Sequence, residues 1–209
     1  MKILILVMSS KVRHYPVLEK AQRDTWDSVN VPNIQTVYYM ANNKTLMKND
    51  ILYIQGKEDH SHFYTRTRLA IDYILQYNWD YVFKTDNSAF IDKNELVKVV
   101  SKLPQHKVYA GKPFHDSSVV PVNNNFMWGE GYLLSRDMAK IVARSPNDKG
   151  MAEDYTVSTI LNQVTKGIEL PFYNYFKDDN DNIPKVHLYR CFHENPQLTI
   201  QAMHNLMIL

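Results

Sequence analysis

Short apolar runs alternate with segments of helical periodicity along this chain. Ile3–Met8 is six apolar residues in a row, closed by Ser9 and Ser10, the pattern of a strand buried on both faces. Pro16–Trp26 follows as a helix with a proline in its first turn. Ile34–Met40, rich in β-branched and aromatic residues, predicts a strand, and Ile51–Ile54 a shorter one. Between Tyr64 and Tyr77, Leu69, Ala70, Tyr73, Ile74 and Tyr77 share one helical face. Asp80–Thr85 is the next strand. Asp92 precedes a helix with the apolar stripe Leu96, Val99, Val100 and Leu103, and Glu95 three residues on completes a capping-box pattern.

Lys107–Ala110 returns as a strand. Lys112–Asn125, with two prolines and three consecutive asparagines, reads as a long loop. Gly131–Leu134 is a strand, and Ser135 caps a helix running to Ala143. Glu153 and Asp154 open a helix with Val157, Ile160, Leu161 and Val164 on its apolar side. A polar stretch, Lys177–Pro184, leads to the strand Val186–Phe192 and a last helix, Pro196–Met207. Such alternation predicts one α/β domain over residues 1–209, with a mostly parallel central sheet flanked by helices. Ligands of such sheets bind at the carboxyl ends of the strands, near a switch in strand order. Ser9–Arg13, Asp86–Ser88 and Glu153–Asp154 project there.

Charge narrows the class. With 24 basic and 22 acidic residues, the net +2 lacks the basic excess of a dedicated nucleic-acid binder. The sequence holds one cysteine, Cys191, so neither an internal disulfide nor a cysteine zinc site is available within it, and a reducing compartment is the simpler setting. The first apolar run is too short for a signal peptide or a membrane span, and no later run is long enough to span. These features predict a soluble, cytoplasmic protein.

Three segments carry candidate chemistry, each with a plainer alternative. In YVFKTDNSAFID a strand ends in Asp86, followed by Asn87 and Ser88. An acid there suits a divalent cation on a diphosphate, or closes an Asx-turn. In AEDYTVSTIL, Glu153 and Asp154 either complement a helix dipole or provide a general base, since an ordinary aspartate is ionised at pH 7. In FMWGEGYLLSRD, Gly129 and Gly131 flank Glu130 beside Trp128, which suits either a sugar-facing surface or a glycine turn over a core tryptophan. Arg13, Arg23, Arg66 and Arg68 are candidate diphosphate contacts. His187 and His193 lie in VHLYRCFHEN. No P-loop, dinucleotide fingerprint or GxSxG elbow is present.

Taken in order, KAQRDTW (Lys20–Trp26), FKTDNSAFID, MWGEGYLLSRD, AEDYTVSTIL and, more weakly, CFHENPQL resemble segments of the β-1,3-galactosyltransferase and Fringe group of inverting GT-A glycosyltransferases. The resemblance spans residues 20 to 198. It implies a GT-A-like, Rossmann-like fold and transfer of a hexose (glucose, galactose or a deoxyhexose such as rhamnose) from a UDP-sugar to a glycan or glycoprotein hydroxyl. It implies Asp154 as general base, and Mn²⁺ or Mg²⁺ held by Asp86, Ser88 and His193. It further implies donor contacts from Ser9, Ser10, Arg13, Arg66, Asp86, Asn87 and Ser88. Trp128, Gly129, Glu130 and Glu153 would lie on the sugar or acceptor side. Two departures stand out: Ser88 replaces the third acid of the metal motif, and Asp92 stands where the family often has asparagine. The family's membrane anchor, stem and disulfides have no counterpart here, which implies a cytoplasmic version of bacterial or viral kind, or one module of a longer chain. A non-catalytic module that binds a sugar nucleotide or glycan, and a nucleotidyltransferase, are the alternatives. Ser9-Ser10-Lys11 lacks the glycines of the latter.

Overall fold

The computed structural model describes residues 1–114, 126–146, 152–178 and 183–208. In chain order the elements are β1 (Ile3–Met8), α1 (Tyr15–Asp24), β2 (Ile34–Asn42), β3 (Leu46–Lys48), β4 (Ile51–Gln55), α2 (Phe63–Ile74), β5 (Tyr81–Asp86), β6 (Ala89–Ile91) and α3 (Lys93–Val100). They continue with β7 (Tyr109–Phe114), β8 (Phe126–Ser135), α4 (Arg136–Ala143), α5 (Glu153–Leu161), β9 (Ile168–Glu169), β10 (Tyr173–Asn174), β11 (Leu188–Arg190) and α6 (Pro196–Leu206).

All six residues of β1 are buried, as a run without polar alternation requires. Ile3, Ile5 and Val7 face one core, with α1, α3 and α6; Leu4, Leu6 and Met8 face the other, with α2, α4 and α5. The strand order is β3-β4-β2-β1-β5-β8-β7-β9, and a second sheet has the order β10-β11-β6. The chain runs outward from β1 through β2 to β4, then returns to pair β5 on the other side of β1. The carboxyl ends of β1 and β5 are therefore the switch point of the sheet.

The large sheet is mixed, where a mostly parallel one was expected. β4, β2, β1 and β5 are mutually parallel, but β8 is antiparallel to both β5 and β7, and β3 is antiparallel to β4. Alternation of elements predicts parallel crossovers but does not register a strand that enters the sheet from the opposite end.

Several boundaries differ for local reasons. α2 stops at Ile74, before Tyr77, because its final carbonyl and those beyond find partners outside the helix. Trp79 Nε1 donates to Ile74 O at 2.7 Å, and Arg136 donates to the carbonyls of Leu75, Tyr77 and Trp79 at 2.6, 2.8 and 3.1 Å. Asp92 caps α3 through the N–H groups of Asn94 and Glu95, but Glu95 turns to Lys98, so half of the capping box forms. Ser135 precedes α4 without capping it; its hydroxyl donates to Asp137. Val164 lies beyond the end of α5 and is exposed. Residues 112–114 of the expected long loop belong to β7, and 115–125 lie outside the described residues.

Candidate functional site

α1 anchors the turn at the end of β5. Gln22 Nε2 donates to the carbonyls of Asp86 (2.9 Å) and Ala89 (2.8 Å), and Trp26 Nε1 donates to Ala89 O at 3.1 Å. Both belong to KAQRDTW, so that segment acts by fixing the backbone that carries Asp86. Within the turn, Asp86 Oδ1 accepts from Ser88 N–H (2.8 Å) and from the Ser88 hydroxyl (2.6 Å), an Asx-turn. Asn87 is buried; its Nδ2 donates to Ser9 Oγ at 3.4 Å and its Oδ1 has no partner.

Beside this turn, at the end of β1, lies a cavity of about 250 Å³ lined by Ser9, Ser10, Arg13, Tyr15, Glu58 and Arg66, among others. Arg13 adopts left-handed backbone geometry (φ 57°), which carries the loop around the cavity rim. The Ser9 hydroxyl donates to Glu19 and the Ser10 hydroxyl to Glu58, each at 2.7 Å. Arg66 is 2% exposed, pairs with Glu58 at 3.1 Å and lies over the Phe63 ring. Arg66 Nε and Glu58 Oε1 are both buried without a hydrogen-bond partner. Orphaned polar atoms of this kind are costly unless a ligand or water meets them. Of the other candidate arginines, Arg23 pairs with Glu19 and Asp50, and Arg68 donates to Ala143 O.

The two acids opening α5 have different surroundings. Glu153 is buried, 2.8 Å from Lys84 Nζ, and accepts from the Tyr132 hydroxyl. Lys84 also donates to Gly129 O at 3.0 Å. Burial alone would lower the Lys84 ammonium and raise the Glu153 carboxyl. At 2.8 Å, with Tyr132 and Gly129 O as further partners, the ionised pair wins, and Glu153 holds Lys84 above its usual value. Glu153 thus faces into the protein, against Lys84 and Tyr132. Asp154 is half-buried: Oδ2 accepts from Gly129 N–H at 2.9 Å and Oδ1 from Tyr155 N–H at 2.8 Å. A Cβ at position 129 would stand 3.1 Å from Asp154 Oδ2, so a glycine there lets the acid approach the end of β8.

Glu130 connects these parts. Burial pushes its carboxyl up to about 7, the charges of Asp86 and Asp154 add to the rise, and Arg190 opposes it. Arg190 Nε lies 2.8 Å from Glu130 Oε1, close enough for an ion pair but misaligned for a hydrogen bond. The Arg190 guanidinium packs over Trp128 (4.8 Å) and Phe192 (5.3 Å). Trp128 itself packs against Phe114 and Phe172. His193 Nδ1 accepts from Asn195 N–H at 2.9 Å and its ring meets Phe176. Buried His187 has an unpartnered Nδ1, and burial lowers its pKa to about 4.

The expected metal ligands fit a cation poorly. Ser88, standing where a further acid was expected, turns its hydroxyl into Asp86, so the turn offers one carboxylate. Hard cations call for a fuller set of oxygens.

Sequence reasoning missed Arg190, Glu58, Lys84 and Gln22. The signal for Lys84 and Arg190 was a cation set among apolar strand residues, which demands a partner. A larger cavity, about 580 Å³, lies by Trp26, Phe90, Lys93 and Tyr189. It contains none of the expected site residues, and Lys93 there is engaged with Asp27 and Val29 O.

What the fold defines is a mixed-sheet α/β protein with a polar cavity beside the switch point of its sheet. Comparison with known proteins finds no family model that matches the chain and no curated protein that matches it. Among the described residues, no helix is long and apolar enough to cross a membrane.

Proposed function

We propose that the chain is a glycosyltransferase that moves a hexose from a UDP-sugar to a glycan hydroxyl with inversion, using Asp154 as general base. The observation that carries this reading is a convergence. An unfinished polar cavity at the end of β1 adjoins Asp86 at the end of β5, and Glu130 lies in the field of both Asp86 and Asp154. The cavity is of a size for a nucleoside, and Asp154, whose charge reaches Glu130 as that of Asp86 does, is the acid that would receive the proton of an acceptor hydroxyl. Asp154 takes the hydroxyl proton, the oxygen attacks C1 from the face opposite the diphosphate, and the configuration inverts. Trp128, packed by Arg190, Phe114 and Phe172, would border the sugar or acceptor.

UDP release from UDP-glucose, UDP-galactose and UDP-rhamnose, with a mixed glycan acceptor pool, tests the reading. Asp154→Asn is expected to lower kcat by roughly 10²- to 10⁴-fold with UDP affinity kept. Equal turnover in that variant removes Asp154 from the mechanism. If calorimetry finds no uridine nucleotide binding at all, the glycosyltransferase reading fails. The Asx-turn at Asp86 favours one second reading, a module that binds a sugar nucleotide without turnover. Tight UDP binding with no transfer to any acceptor would select it.

A further inference from the structure

We propose that the Arg190 guanidinium, in place of a divalent cation at the Asp86–Ser88 turn, receives the anionic oxygens of the donor diphosphate. This rests on the nucleotide-sugar reading above. Position supports it first. β11 pairs with β6 so that Arg190 lies opposite Ala89, and Cys191 N–H donates to Ser88 O at 2.8 Å. Arg190 is thereby fixed against the turn that follows β5, at the switch point where a phosphate would lie.

Preorganisation supports it next. The guanidinium packs over the Trp128 and Phe192 rings, and its Nε is buried with no aligned acceptor. No other described residue accepts a hydrogen bond from its terminal nitrogens. A planar fork with its donors unspent matches two phosphate oxygens at once. Glu130, at 2.8 Å, is the anion that accompanies it when no ligand is bound. A diphosphate displaces that carboxylate, whose raised pKa eases its withdrawal as the neutral acid.

The chemistry of the turn agrees. It offers a single acid, with one oxygen spent on Ser88, where a cation needs several oxygens. During transfer the C1–O bond to the β-phosphate breaks and its electron pair stays on the phosphate oxygen. The acceptor oxygen forms the new C1–O bond, and its proton passes to Asp154. Arg190 faces the negative charge that develops on the leaving group.

The test is calorimetry of uridine and UDP in excess EDTA, and again with Mn²⁺, on wild type, Arg190→Ala, Arg190→Lys and Glu130→Gln. In EDTA, UDP is expected to bind wild type at least ~10-fold tighter than uridine, and Arg190→Ala to remove about 10- to 100-fold of UDP affinity while uridine changes by less than about 2-fold. Arg190→Lys, a charge without the fork, falls between. Glu130→Gln tightens UDP, because the competing carboxylate is gone; this decides the matter if Arg190→Ala fails to fold. Uridine binding with a diphosphate gain that needs Mn²⁺, or that survives Arg190→Ala, overturns this proposal alone. Binding of neither uridine nor UDP overturns the nucleotide-sugar reading and this one with it.

Discussion

Lys84–Glu153 and Arg66–Glu58 each join a buried cation to a carboxylate, fully buried in the first pair and a quarter exposed in the second. In the first, Lys84 reaches Glu153 and Gly129 O, and Glu153 also receives the Tyr132 hydroxyl. In the second, Arg66 Nε and Glu58 Oε1 are left without partners and the pair lines a cavity. Evolution tolerates a buried polar atom with no partner mainly where something else meets it. The closed pair therefore reads as scaffold, locking β5 to α5 so that Asp154 meets Gly129. The open pair reads as binding surface. Charge alone would not separate them; the exposure of the carboxylate and the completeness of its hydrogen bonding do.

The comparison breaks most visibly at Lys84. Lys84→Met leaves Glu153 buried without its cation, and is expected to cost about 3–5 kcal/mol of stability. For a chain of this length that lowers Tm by roughly 10 °C. Urea unfolding checks it, and a loss below about 1 kcal/mol would mean that the closed pair is not what holds α5 in place.

His187 extends the comparison to a buried ionisable group with no charged partner. Its pKa falls from an ordinary 6.5 to about 4, so between those values the unfolded chain binds the proton more readily. Stability is complete above pH 6.5 and is lost as pH falls toward 4, by about 3 kcal/mol in all. Denaturation across that range in wild type and His187→Leu tests this, and an unchanged pH slope in the variant would place the acid sensitivity elsewhere.

Arg66→Met is the smallest perturbation to the fold and a selective one for function. Glu58 is a quarter exposed and can rehydrate, so the stability cost should be about 1–2 kcal/mol. UDP affinity should fall about 10-fold, since a charge-assisted donor into the cavity is lost. A stability loss as large as that of Lys84→Met, with UDP affinity unchanged, would erase the distinction between the two pairs.

Much of the local architecture was legible in the residue pattern. β1 could be read because a strand buried on both faces leaves no polar position in its run. The cap at Asp92 could be read because a helix start leaves orphan N–H groups that such a side chain meets, and the acids opening α5 because negative charge suits a helix N-terminus. The Asx-turn at Asp86 was one of two readings of its segment, and the structure forms it. The antiparallel entry of β8 was not legible, nor was the early end of α2, which depends on Arg136 some sixty residues away.

The sequence by itself determined the alternation of strands and helices, the acids at Asp86 and Asp154, and the glycines beside Trp128. All depend on neighbours a few residues apart. Only the tertiary structure decided which acid of the Glu153–Asp154 pair is buried and which stays half-buried against Gly129, because that choice depends on Lys84 arriving from β5. It also decided that Arg190 would pack over Trp128 and Phe192 beside Glu130. Hydrogen bonds and ion pairs act over a few ångströms of space, and distance along the chain does not encode which distant groups will share those few ångströms.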